Sequence, residues 1–308
     1  MRRVIITGGD GFVGSNTVNY FLKQGVEVVA LDLNRLPHNL KEHPLLHYIC
    51  LDISAVMESL VELPKLEYDS WIHFAWEGSA GTKRFDYALQ MRNALDCVKC
   101  LKAAKEIGCK RFVGAGSIME KEVDAVMQQQ GSRPGMAYIY GMGKLIAHYM
   151  CKTIAADIGI DFLWPLITNT YGIGERSPRF INTTISKAVN GEPLEFTSGV
   201  QNYDFVYVDD MAKAFYLIEE KGIPFHEYVI GSGLARPLKE FIIEMLDTIE
   251  YKQSVSFGSQ KYTGVNLALE TFDTRNLLLD TGFLTEISFT EGIRRTKEWM
   301  EQNSNDNR

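Results

Sequence analysis

A chain of 308 residues, 45% hydrophobic and 23% charged, has enough apolar surface to fold around one large core or two modest ones. Its net charge of −7 argues against nucleic acid as the main partner, since phosphate backbones are met by basic surfaces. Glycines break the first apolar run, in "MRRVIITGGDG", after four residues. That is too short for a signal-peptide core or a membrane span, so a cytoplasmic protein without membrane contact is expected.

In chain order, "RRVIIT" reads as a strand and "GSNTVNYFLKQG" as a helix closed by Gly25. The turn between them, "TGGDGFVGSN", places Gly8, Gly11 and Gly14 in the spacing GxxGxxG, with Phe12 and Val13 at the helix start. Glycines allow a tight turn and let the backbone approach a pyrophosphate, while the helix N-terminus offers unpaired N–H groups. The next strand, "EVVALD", ends in Asp32, 18 residues after Gly14, where a carboxylate can accept hydrogen bonds from both hydroxyls of a ribose. A carboxylate there repels a 2′-phosphate, which favours NAD over NADP; Arg35 moderates that preference.

"WIHFA" is a further strand, followed by the long helix "ALQMRNALDCVKCLKAAKEIG" and the strand "KRFVGAG". Cys97 and Cys100 form a CxxC in that helix. No second CxxC or close histidine pair completes four zinc ligands, so reduced, packed cysteines and no metal are expected. A helix from about Tyr140 leads to "IDFLWPLI". Strands separated by helices imply right-handed crossovers, hence an α/β protein with a parallel sheet covered on both faces. Beyond Thr168 the alternation becomes less regular. We expect a dinucleotide-binding domain over 1–168 with a returning segment at about 203–231. A smaller C-terminal substrate lobe, 169–202 and 232–300, and a frayed polar tail, 301–308, complete the division.

"YIYGMGK" contains two tyrosines, and of these only Tyr140 has a lysine, Lys144, four residues on. Chance alone supplies about one YxxxK pair in a chain with 14 tyrosines, so the motif proves nothing by itself. On a helix, however, i and i+4 share a face, and an ammonium beside a phenol favours the phenolate. Ser117 closes the strand "RFVGAGS" at the sheet edge where ligands of such folds bind.

"TGGDGFVG", Asp32, "CLDI", "WIHFAW", "RFVGAGS", Tyr140-x-x-x-Lys144, "NTYG" and "YDFVYVDDMAKA" follow one another in an order that resembles the extended short-chain dehydrogenases/reductases. These are the nucleotide-sugar epimerases, dehydratases and ketoreductases, and the resemblance spans roughly residues 1 to 280. It implies a Rossmann-type doubly wound sheet, a catalytic set of Ser117, Tyr140 and Lys144, and a homodimer built through two helices of each subunit. By the same resemblance Asp52 and Ile53 contact adenine, and Phe74 and Ala75 line the cofactor. Asn93 lies near the reacting centre, and Lys144 also holds the cofactor ribose. Asn169 touches the substrate diphosphate, and Arg179 is a further substrate-binding candidate. Tyr138 is expected to pack or to wall the substrate site.

The chain departs from the family at several points. Dehydratases carry an Asp-Glu pair after the catalytic hydroxyl residue; here Ile118 and Met119 stand there, and Glu120, one position later, is expected to point elsewhere. Tyr203 replaces the arginine of an Arg-Asp-Phe, and Lys261 a later arginine; Arg176, Arg179 and Lys261 are candidates to compensate. Trp76 replaces a small residue and narrows the pocket. The expectation is an NAD(P)-dependent 4-ketoreductase of a nucleotide-activated sugar, similar to the abequose-synthase-like enzymes. A 4-epimerase with retained NAD is the alternative, and a non-catalytic dinucleotide-binding sensor or scaffold the reading from another class.

Overall fold

The computed structural model describes residues 2–305. Strands β1 (Arg3–Thr7), β2 (Glu27–Asp32), β3 (Leu46–Cys50), β4 (Ser70–His73), β5 (Arg111–Gly114), β6 (Gly116–Ser117) and β7 (Asp161–Leu163) follow in chain order. All but β6 form one parallel sheet in the order β3-β2-β1-β4-β5-β7. Val4, Ile5 and Ile6 of β1 are all fully buried. A strand covered on both faces has no polar side, which is why "VII" is continuous rather than alternating.

Helices α1 (Phe12–Lys23) and α2 (Tyr87–Glu106) take opposite faces, as do α4 (Tyr138–Ile158) and α6 (Val208–Lys221). Val18 and Phe21 of α1 pack with Phe215 of α6 on one face. On the other, Ala94, Cys97 and Leu101 of α2 meet Ala147, Cys151 and Ala155 of α4. These small side chains let the two backbones approach closely, and Cys97 and Cys151 bring their sulfurs to 3.7 Å. Cys97 and Cys100 are free thiols inside this packing. Helix α6 returns to the sheet from residue 208 onward: its Glu219 accepts a hydrogen bond from Ser70 of β4 at 3.0 Å and pairs with Arg2.

The smaller assembly at the carboxyl edge of the sheet is built from β8 (Leu166–Ile167), β9 (Asn169–Tyr171), α5 (Phe180–Val189) and β10 (Leu194–Phe196), followed by β11 (Asn202–Tyr203) and β12 (Phe205–Tyr207). To these the chain adds β13 (Val229–Ile230), β14 (Arg236–Pro237), α7 (Leu238–Thr248), β15 (Val255–Phe257), α8 (Arg275–Thr281) and α9 (Phe289–Asn305). Phe205 centres its core, with ring centroids 5.0 Å from Phe241 and 5.5 Å from Phe289.

Three elements differ from the sequence expectation. Strand β3 forms at the sheet edge, where half-burial leaves its pattern "LHYIC" mixed. Helix α3 (Met119–Gln128) forms directly after Ser117, because Val123 and Val126 find Tyr138 to pack on. Residues 301–305, expected to fray, continue α9, while 306–308 lie outside the described residues.

Candidate active site

Strand order reverses between β1 and β4, and the cleft opens at their carboxyl ends. Gly8 leaves β1 with φ +68°, and a Cβ there would come 2.7 Å from the Ala75 nitrogen. At Gly14 a Cβ would fall on the Gly8 carbonyl oxygen. The turn is therefore closed to any larger residue at either place, which leaves open the backbone cradle that a pyrophosphate needs. Gly11 stands at the N-cap of α1 with no side chain capping it, so the first-turn N–H groups face the cleft unclaimed.

Asp32 ends β2, and its carboxylate accepts from the Asp10 nitrogen at 2.9 Å and the Leu33 nitrogen at 2.8 Å. An ionised carboxylate has about four acceptor positions, so two remain for a ligand. Asp52 caps the short turn Ile53–Ala55 by accepting from Ser54 at 2.9 Å. Gly8, Gly11, Phe12, Val13, Gly14, Asp32, Asp52, Ile53, Phe74, Ala75 and Asn93 all line one cleft of about 540 Å³. The cradle, the carboxylate and the uncapped helix fit a dinucleotide.

Ser117, Tyr140, Lys144, Trp76 and Arg179 line the same cleft. Tyr140 is half-buried, and the Trp76 ring meets it edge-on at 6.3 Å. Burial pushes the Tyr140 phenol up; the charges of Arg179 and Arg84 and a hydrogen bond with Ser117 act in the opposite direction. Lys144 is buried, donates to the Ala115 carbonyl at 2.7 Å and stands 3.8 Å from the centre of the Trp76 ring. Burial pulls its ammonium down to about 8. The shared helix face is real, but the lysine is spent on Ala115 and Trp76, and the cations whose charge acts on the phenol are the two arginines.

Beneath Ser117, the buried Glu120 accepts from the Ser117 nitrogen at 2.9 Å and from Trp164 at 3.1 Å, and meets His148 at 2.9 Å. It thus points away from the cleft. Ile118 is buried against Leu267 and Phe272, and the Met119 sulfur accepts from Arg84.

The remaining expected residues divide between packing positions, the cleft and the surface. Tyr138 packs against Val123 and Val126 and accepts from the Val265 nitrogen at 3.1 Å. Asn93 clamps the main chain of Glu77, and Asn169 turns its amide to the Asp204 carbonyl at 3.0 Å. Tyr203 stacks on Phe205, its hydroxyl pushed up to about 12 by burial. Lys261 and Arg176 are exposed and are not among the lining residues. Arg179 does line the cleft, paired with the buried Glu175 at 3.1 Å. Sequence reasoning missed Glu175 and Ser79, which line the cleft, and Arg84, whose charge acts on the Tyr140 phenol. Glu175 and Arg179 lie in the loop before α5, where four-residue spacing carries no helical meaning, and nothing in the stretch "GTKRFD" marks Arg84.

The profile of the NAD dependent epimerase/dehydratase family matches residues 4–231. The chain is 25% identical over 98% of its length to a trifunctional UDP-glucose 4,6-dehydratase/UDP-4-keto-6-deoxy-D-glucose 3,5-epimerase/UDP-4-keto-L-rhamnose-reductase of Arabidopsis thaliana, of which it spans about half, 48%. It is 26% identical to the CDP-abequose synthase of Salmonella typhimurium, with 94% of this chain and 95% of that protein covered. Its fold superposes with a TM-score of 0.82 on a Thermotoga maritima UDP-glucose 4-epimerase solved with UDP-glucose, at 19% identity over 98% and 99% of the two chains. Sheet order, glycine cradle and profile agree, and the chain belongs to the NAD dependent epimerase/dehydratase family.

Proposed function

We propose that the protein is an NAD-dependent 4-ketoreductase of a nucleotide-activated sugar, using Ser117, Tyr140 and Lys144. The observation that carries this reading is the cleft itself: the three residues line it together with the dinucleotide cradle, and neither residue after Ser117 bears a group that could move a proton. When bound, the dinucleotide supplies the hydride that a ketone reduction consumes. Gly8, Gly14 and the start of α1 would hold its pyrophosphate, and Asp32 a ribose. The burial that raises Tyr140 keeps its phenol protonated at neutral pH, as a general acid for a carbonyl oxygen must be. Ser117 then orients that oxygen, and Lys144 keeps a positive charge at the floor of the site.

A 4-epimerase uses the same three residues, and that shared set is what supports it as the second reading. The two separate on incubation with NADH and 4-keto-6-deoxy sugars carried on CDP, UDP or dTDP and, in parallel, with the matching 4-hydroxy sugars. A reductase consumes NADH in step with product, whereas an epimerase equilibrates two 4-hydroxy sugars with no net change. Calorimetry should find NAD bound more tightly than NADP, and Asp32→Ala should weaken NAD by about 1–3 kcal/mol, the scale of lost charge-assisted hydrogen bonds. Tighter NADP binding by the native protein would reverse the cofactor assignment.

A further inference from the structure

We propose that Arg84 is a positioning residue that acts through Tyr140, as the cation that steadies its phenolate after proton transfer. The inference rests on Tyr140 being the acid–base group. The guanidinium carbon of Arg84 lies 4.7 Å from the centre of the Tyr140 ring. A cation over an aromatic face is attracted to its π-electrons, and the attraction grows when the ring carries a negative charge.

What the guanidinium lacks is as informative as what it touches. Among the described residues its one hydrogen-bond acceptor is the Met119 sulfur, a weak acceptor for so strong a donor. Its buried Nε finds no hydrogen-bond partner among the described residues. A half-buried guanidinium left in this state has unused donor capacity, and an anion formed beside it is stabilised by it. The Tyr140 phenolate is the anion that the proposed reaction makes at that place.

The other groups around the phenol divide clearly. Arg179, from the segment before α5, is already paired with Glu175. Lys144, on the same helix as Tyr140, is held by Ala115 and Trp76. Ser117 of β6 supplies a hydroxyl, and Glu120 of α3 is tied to Ser117, Trp164 and His148. Glu122 of α3 and Tyr203 of β11 also act on Arg84, in the direction that supports its charge. Among the described residues, Arg84 is thus the cation at the ring without a carboxylate of its own at ion-pair distance.

The test follows the ionisation of Tyr140 directly in NAD-saturated protein. Near-ultraviolet phenolate absorbance is read in stopped-flow pH jumps, before unfolding, and the signal of Tyr140 is isolated by subtracting the Tyr140→Phe protein. Arg84→Met should move that midpoint up by about one pH unit or more, the scale of one neighbouring opposite charge. Arg84→Lys should restore part of the shift, because it keeps the charge and loses the planar fork. Near-ultraviolet circular dichroism checks that each variant is folded; should Arg84→Met fail that check, Arg84→Gln takes its place. A midpoint unmoved on loss of the charge, or moved equally by Arg84→Lys and Arg84→Met, overturns the proposal. No sugar is needed, so a failed reductase assay and a failed titration are separate results.

Discussion

Burial raises the Tyr140 phenol, while two guanidiniums and the Ser117 hydroxyl pull it down. Such a group can give up a proton during a reaction without losing it at rest. Tyr140→Phe keeps the ring and its edge contact with Trp76, and turnover should fall about 10²–10⁴-fold, the usual worth of general acid–base catalysis. Tyr138→Phe removes one hydrogen bond to Val265, and its rate should stay within a few-fold; a dead Tyr138→Phe beside an active Tyr140→Phe would refute the assignment. Lys144 makes a second, opposite prediction for stability. Its folded value of about 8 lies below the ordinary 10.5, so the charged form is disfavoured in the fold. The penalty is full below pH 8 and fades as pH rises towards 10.5, so native stability should rise across that window. Lys144→Met removes the penalty and leaves the Ala115 carbonyl without its donor. The net should be a gain of about 1–2 kcal/mol in thermal or denaturant unfolding at neutral pH, together with lost turnover. At this scale sequence was informative where backbone geometry demands a residue type: Gly8 and Gly14 could be nothing larger. It was silent on Arg84, whose position depends on where its loop lies across α4 and α3.

Helix α3 links the reacting edge to the smaller lobe, and its charged residues behave differently along its length. Glu120 is fully partnered, whereas burial pushes Glu122 up to about 7, with Arg84 acting against that rise. A carboxyl whose folded value exceeds its ordinary 4.5 holds its proton more tightly in the native state. Stability should therefore fall as pH rises from about 4.5 through 7. Glu122→Gln should flatten that slope and stabilise the protein by about 1–3 kcal/mol at pH 8, measured by denaturant titration at several pH values. An unchanged slope would show Glu122 to be solvated. The alternation of strand and helix was legible because β1 and β2 carry continuous buried apolar runs, with Trp71 and Ile72 of β4 beside them. Strand β3 and helix α3 were not, because half-buried elements have mixed patterns and draw their stability from neighbours the sequence does not name.

For the whole molecule, Tyr87, Met91 and Leu95 form an exposed stripe at four-residue spacing along α2, with Tyr149 and Met150 exposed on α4. An apolar stripe of that length suits a helix partner, and we expect a homodimer across this face. Sedimentation should give twice the chain mass for the native protein and a monomer for Leu95→Glu; a native monomer would refute it. No described helix is long and apolar enough to cross a membrane. The smaller lobe was the part least readable in the sequence: its strands of two or three residues each depend on pairings such as β10 with β15, some sixty residues apart. The same remoteness hid the fate of Tyr203 and Lys261, one stacked into the lobe's aromatic core and the other exposed. The central claim, reduction of a sugar ketone with Tyr140 as the acid, is tested most directly with NADH deuterated at the transferring carbon. Incubated with a 4-keto-6-deoxy nucleotide sugar, the native protein should yield a product carrying one deuterium at C4 for each NADH consumed, and Tyr140→Phe should yield almost none. NADH left unconsumed with the ketone intact, or dehydration of an intact nucleotide hexose, would contradict it.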